Sequence, residues 1–169
     1  MTMSPPRQQD RLQPSLLDRL FDDAPDARSE GVDARVIHRN RLRELVLRDM
    51  VWLLNTAVPS DLDFAGAEHA RHSVLNYGVP TLAGQTLSTT DPQEVERRMR
   101  QAILDHEPRI LPETLQVQAI VNEDMVDHHN EIGLRISAQL WAQPLPLELL
   151  LHTDIDLETG RVAVRELAR

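Results

Sequence analysis

Residues 92–121, PQEVERRMRQAILDHEPRILPETLQVQAIV, change their period partway through. Up to His106 the apolar positions follow a helix. Val95, Met99, Ala102 and Ile103 fall at i, i+4, i+7 and i+8. From Leu115 onward every second position is apolar: Leu115, Val117, Ala119 and Val121. Asp91 stands as the N-cap, Pro92 takes the first helical position, and Glu94 can close a capping box. Pro108 ends the helix because it disfavours the α conformation at Glu107. A helix therefore hands over to a strand at residues 106–110, HEPRI. A charged Glu-Pro-Arg triplet is more than a connector needs there.

The two sides of this joint have different textures. N-terminal to it the chain reads as helices and loops. Residues 1–13 are polar with two prolines, which predicts a disordered tail, and residues 14–169 are expected to form one domain. In PSLLDRLFDD, Ser15 can cap a short helix that places Leu16, Leu17, Leu20 and Phe21 on one face. That face either docks on the protein's own core, the simpler reading, or serves as a partner-binding peptide. Residues 22–32 read as a loop. A long helix is predicted over 33–55, capped by Asp33, with Leu42, Leu45, Val46, Met50, Leu53 and Leu54 at helical spacing. Its Arg35, Arg39, Arg41, Arg43 and Arg48 read as a solvated face, or as a docking stripe on an acidic protein. A loop over 56–68 leads to a shorter helix over 68–76, with Gly78 at the left-handed position that ends it and Pro80 preventing continuation.

C-terminal to the joint the period is two. Ile132, Leu134, Ile136, Ala138 and Leu140 alternate in EIGLRISAQLWA. Leu147, Leu149, Leu151, Thr153 and Ile155 do so in LELLLHTDID. RVAVRE is a short last strand, and Gly160 in DLETG marks the hairpin before it. QPLP, residues 143–146, joins the second and third strands. The class is α+β: N-terminal helices packed on one face of a mostly antiparallel sheet of about four strands.

Composition narrows the chemistry. The 169 residues hold only five aromatics, Phe21, Trp52, Phe64, Tyr77 and Trp141, so the core must be Leu, Val and Ile. A net charge of −9 argues against a sequence-independent grip on nucleic acid or anionic lipid. Without cysteine there is no disulfide, thiolate or Cys-based zinc site, which is compatible with the cytosol. The first residues lack an apolar signal region, and no apolar run approaches the roughly 20 residues of a membrane span. The expectation is a cytoplasmic protein that does not insert in a membrane.

Enzymatic signals are few. His69 and His72 have H-x-x-H spacing and His128 and His129 are adjacent, but no H-E-x-x-H accompanies them. They read as surface histidines, and no metal or cofactor is expected. There is no phosphate-binding glycine loop and no nucleophile elbow. Glu107, Glu123, Asp124, Asp127 and Glu131 lie at or near strand ends, and a glycosidase would need one protonated acid among such a set. Arg109, however, shares a side with Glu107 in extended chain. A guanidinium there stabilises the ionised carboxylate, the opposite of what a general acid requires. The triplet reads as a structural or docking element, and the remaining acids as a solvated loop.

Five blocks, PSLLDRL, LRDMVWLLNT, SVLNYGVP, HEPRI and LPLELLLHTDIDLETGRVAV, occur in the order and spacing of the TssE family. These are type VI secretion baseplate subunits related to a lysozyme-like wedge protein of contractile phage tails. The resemblance covers about residues 14–166. The family's Glu-Pro-Arg motif falls on Glu107, Pro108 and Arg109, and its Asn-Tyr-Gly block on Asn76, Tyr77 and Gly78. His106 departs from the pattern, which has an aromatic there, typically Phe.

The resemblance implies a non-enzymatic wedge subunit in the cytoplasm, within a baseplate docked at the inner membrane. It implies that the motif anchors the chain to partners resembling TssF and TssG. It further implies that the sheet offers the sheath subunits a template, helping to initiate the contractile sheath. Glu107 and Arg109 are then expected to project from the joint, so that losing either changes the isolated protein's stability by no more than about 1 kcal/mol. An open meander leaves two unpaired edges. Val162, Ala163 and Val164, with neither charge nor proline, are the first choice for the template strand, used by β-augmentation. The alternative from a different class is a peptidoglycan glycosidase, a lysozyme-like muramidase.

Overall fold

The structure, a computed structural model, describes residues 15–20, 39–58, 64–86, 89–120, 130–142 and 145–167. Several expectations lie outside these residues: the disordered tail over 1–13, the loop over 22–32, the Asp33 cap with Arg35, and Phe21. Val121, Glu123, Asp124, Asp127, His128 and His129 lie outside them too.

A four-stranded sheet carries the fold. Its strands are β3 (Gln116–Ile120), β4 (Glu131–Leu140), β5 (Leu147–Asp156) and β6 (Val162–Glu166), antiparallel throughout and in the order β3-β4-β5-β6. Alternation assigns the faces as expected. Ile132, Leu134, Ile136, Ala138 and Leu140 of β4 are buried, as are Leu149, Leu151, Thr153 and Ile155 of β5. Register places Leu134 beside Thr153 and Thr153 beside Val164, so one apolar layer runs across three strands. Glu131, Arg135, Glu148 and Arg165 lie exposed between these apolar positions. Asp156 tightens the last hairpin by accepting from Glu158 N–H at 2.8 Å and the Thr159 hydroxyl at 2.6 Å. Gly160 supplies the φ of +74° that the turn requires.

Two helices cover the apolar face. Helix α2 (Arg39–Leu54) buries the six expected residues, Leu42, Leu45, Val46, Met50, Leu53 and Leu54. Helix α4 (Pro92–His106) buries Val95, Met99, Ala102 and Ile103, and Asp91 caps it by accepting from Gln93 N–H at 3.0 Å. The capping box is not used. Glu94 turns to Arg97 and Arg98, whose hydrogen bonds hold its carboxyl at about 2. The core is aliphatic, and no described aromatic is buried in it.

The segment between the helices departs from expectation. The helix predicted over 68–76 stops early: α3 spans Glu68–Arg71, and Val74–Asn76 forms a 3₁₀ turn. Ser73 redirects the chain, its hydroxyl accepting from Leu75 N–H at 3.2 Å. A two-residue parallel pair, β1 (Ala57–Val58) with β2 (Val79–Pro80), was not foreseen. Gly78 serves this crossing rather than a helix end. Its φ is +132°, and a Cβ there would stand 2.3 Å from the Thr56 carbonyl oxygen. The short helix α1 (Leu16–Leu20) forms as expected, but its apolar residues do not all dock. Leu17 and Leu20 are exposed.

Candidate functional site

Pro108 stops α4, and the backbone turns sharply behind it. Glu107 N–H still donates to Ile103 O at 2.9 Å, and Ile110 N–H returns to Glu107 O at 3.2 Å. This turn folds Arg109 over the Glu107 carboxylate. Arg109 N–H and Nε donate to Oε1 at 3.1 and 2.7 Å, and Nη2 donates to Oε2. The paired geometry is the strong, planar form of a charge-assisted contact. Glu107 is 4% exposed, and the Arg109 side chain 23%.

The expectation that both side chains project into solvent is therefore corrected. The i and i+2 positions do share a side, but the tight turn brings them onto each other. Arg109 is also held from behind: its Nη2 lies 2.6 Å from Asp49 Oδ2 on α2. Burial pulls against the Arg109 charge, but Glu107 and Asp49 outweigh it and hold the guanidinium above the usual arginine range.

The network continues away from the joint. Asp49 Oδ1 accepts from Arg48 Nε at 2.9 Å and Nη2 at 2.7 Å. Arg48 Nη1 donates to Asp18 Oδ1 at 2.6 Å, and the Ser15 hydroxyl donates to Asp18 Oδ2 at 2.6 Å. Arg48 also lies over the Trp52 ring, 4.7 Å from its centre. Charge thus alternates through Asp18, Arg48, Asp49, Arg109 and Glu107, tying α1 and α2 to the joint. Sequence reasoning missed Asp18 and Asp49. Arg48 had been read as part of a solvated or docking stripe, and here it is paired on both sides.

Asn76 and Tyr77 pack against the same joint, whereas Gly78 lies against Thr56 and Val58. The Tyr77 ring meets His106 edge to face, with centres 5.2 Å apart. His106 Nε2 lies 3.0 Å from the Asn76 carbonyl oxygen, a bond that requires the proton on Nε2. His106 thus keeps the edge-to-face contact of an aromatic and adds a hydrogen bond. Asn76 in turn donates from Nδ2 to Arg71 O at 2.8 Å. Burial, then the negative charges of Asp49 and Glu107, push the Tyr77 phenol above its ordinary value.

The remaining candidates are scattered. His69 is exposed, and His72 Nδ1 lies 2.9 Å from Asp105 Oδ1. Glu131 is exposed at the start of β4. Among the described residues no group of three or more His, Asp or Glu could hold a metal ion. No helix of the described residues is long and apolar enough to cross a membrane. Cavities of about 140 and about 170 Å³ are present, neither lined by Glu107. Both are smaller than the ~300–1,000 Å³ typical of small-molecule sites. Val162, Ala163 and Val164 lie on β6, an edge strand of the four-stranded sheet, respectively buried, exposed and half-buried.

Residues 40–145 match the family described as baseplate wedge protein gp25. The matched span runs from α2 past β4 and contains both Asn76–Gly78 and Glu107–Arg109, whereas β5, β6 and α1 fall outside it. No curated protein and no solved structure matches the chain.

Proposed function

The chain belongs to the family of baseplate wedge protein gp25, the family of TssE, and from this premise we propose that it is a structural subunit of a type VI secretion baseplate wedge. In this reading it has no enzymatic activity. It joins TssF and TssG through the Glu-Pro-Arg joint and helps initiate the contractile sheath, in the cytoplasm against the inner membrane.

The observation that carries the non-enzymatic reading is the state of Glu107. Both oxygens of its carboxylate are held by Arg109. Neither oxygen is left free to reach a glycosidic bond, whereas a muramidase needs an acid within hydrogen-bond reach of the leaving oxygen.

The triplet divides its work. Glu107 braces the joint from inside, while exposed Pro108 and the outer side of Arg109 meet the partner. Trp141 adds apolar surface beside them. Its backbone N–H donates to Arg109 O at 2.7 Å, and the residue is 45% exposed. Arginine and tryptophan side by side suit an interface hot spot. Asn76 and Tyr77 hold the turn in place through His106, and Gly78 lets the chain pass close to Thr56 beside them. The template for a sheath subunit is the β6 edge around Val162, Ala163 and Val164.

Purified chain and its Glu107→Gln variant, each incubated with peptidoglycan, test the non-enzymatic claim. Neither should release soluble muropeptides. Release by the wild type that Glu107→Gln abolishes would overturn the structural reading in favour of a glycosidase.

A further inference from the structure

Two bonds in the last hairpin assign the direction of every backbone group on β6. Asp156 N–H donates to Arg161 O, and Leu167 N–H to Leu150 O, each at 3.0 Å. In an antiparallel ladder such pairs alternate with pairs whose N–H and C=O point away from the neighbouring strand. Val162, Val164 and Glu166 therefore turn their backbone groups outward, to the open side of the sheet.

The outermost of these rungs is already occupied. Asn55, just past the end of α2, places Oδ1 3.0 Å from Val162 N and Nδ2 2.9 Å from Val162 O. One side-chain amide thus accepts from and donates to the same residue, as the backbone of an added strand would. The second Nδ2 hydrogen goes to Val51 O at 2.9 Å, so the amide is anchored to its own helix. Further along, Arg43 engages the Glu166 carboxylate at 3.1 Å and donates to Glu148 O at 2.6 Å, which fixes the Glu166 side chain without using its backbone groups. Among the described residues nothing bonds the outward backbone groups of Val164 and Glu166. The opposite edge is treated differently. Glu96 of α4 accepts from Ala119 N–H at 2.6 Å, and Val117 beside it is buried.

We propose that Asn55 is a built-in register stop, occupying the Val162 rung of the β6 edge so that an incoming sheath strand pairs only at Val164 and Glu166. The proposal rests on the strand-addition reading above and adds its register. The strand that fits is extended and apolar opposite half-buried Val164. It carries an acidic side chain on the other face, where Arg161, just before β6, is exposed; Arg165 of β6 is already paired with Asp154. A stop is useful because sheet registers slip easily where little else specifies them. A slip of one residue would turn the added strand's apolar side chains to solvent.

Amide hydrogen exchange on the full wild-type chain, alone and assembled with wedge and sheath subunits, reads each rung separately. In the free chain Val162 N–H should be protected, while Val164 and Glu166 exchange freely. Asn55→Ala should speed Val162 by about tenfold, the scale of one lost hydrogen bond. On assembly Val164 and Glu166 should become protected with Val162 unchanged. If Val162 exchanges freely in the free chain, or gains further protection on assembly, the register stop is wrong while strand addition survives. If Val164 and Glu166 stay unprotected after assembly, strand addition at β6 is itself wrong.

Discussion

Asp49 and Arg109 stand 60 residues apart in the chain, and an oxygen of one lies 2.6 Å from a guanidinium nitrogen of the other. Arg109 spans the gap between α2 and the joint while gripping Glu107 with its remaining donors. Removing the arginine strands a carboxylate that is 4% exposed. Arg109→Ala should therefore cost the isolated chain about 3–5 kcal/mol, the range for breaking a buried pair from one side. Asp49→Asn should cost only about 1–2 kcal/mol, because Arg109 keeps Glu107. Urea denaturation of the three proteins measures both. A loss below about 1 kcal/mol for Arg109→Ala would restore the exposed-pair expectation.

The docking of α1 should depend on pH. Burial alone would raise the Asp18 carboxyl, but hydrogen bonds from Arg48 and Ser15 and the Arg48 charge hold it below its ordinary 3.8. A depressed carboxyl stabilises the fold above its unfolded value and loses that contribution as pH falls through the folded value. The stability gap between wild type and Asp18→Asn, about 1 kcal/mol at pH 7 for a partly exposed pair, should persist down to pH 4 and close below 3.8. A gap unchanged at pH 3 would mean that Asp18 is not the docking charge.

Thr153 is fully buried in the middle of β5, and its hydroxyl has no partner among the described residues. An unpaired buried hydroxyl is costly, and valine has nearly its shape. Thr153→Val should raise stability by about 1 kcal/mol in urea denaturation. Destabilisation would point to an undetected hydrogen-bond partner.

His106→Phe separates the two contacts of that ring. The edge-to-face packing on Tyr77 is kept, while the bond to Asn76 O is lost. The expected cost is about 0.5–1.5 kcal/mol. A gain in stability would show that the hydrogen bond contributes less than the better packing of a phenyl ring.

Much of the fold was legible because periodicity reports burial directly. All six apolar positions assigned to α2 are buried, the strand LELLLHTDID is β5 to the residue, and Asp91 caps α4. The β1–β2 pair was not legible, since two residues per strand make no pattern and their pairing depends on Gly78 passing the Thr56 carbonyl. The site was half legible. Glu107 and Arg109 are near in sequence, so their contact could be inferred. Their exposure could not, because the buried side is made by Asp49, far away on another helix. Asn55 was invisible for the same reason: it falls at the end of the helix predicted over 33–55, and its role requires β6 beside it.

The most direct test of the central claim is reconstitution of the wedge. The purified chain mixed with TssF and TssG, and resolved by size exclusion with light scattering, should elute in one complex with them. Pro108→Asp, an exposed change beside Arg109, should weaken that complex at least tenfold while lowering the chain's own stability by no more than about 1 kcal/mol, the scale of losing one proline from a turn. Elution of the folded wild-type chain as a separate species, with no complex at any ratio, would contradict the account.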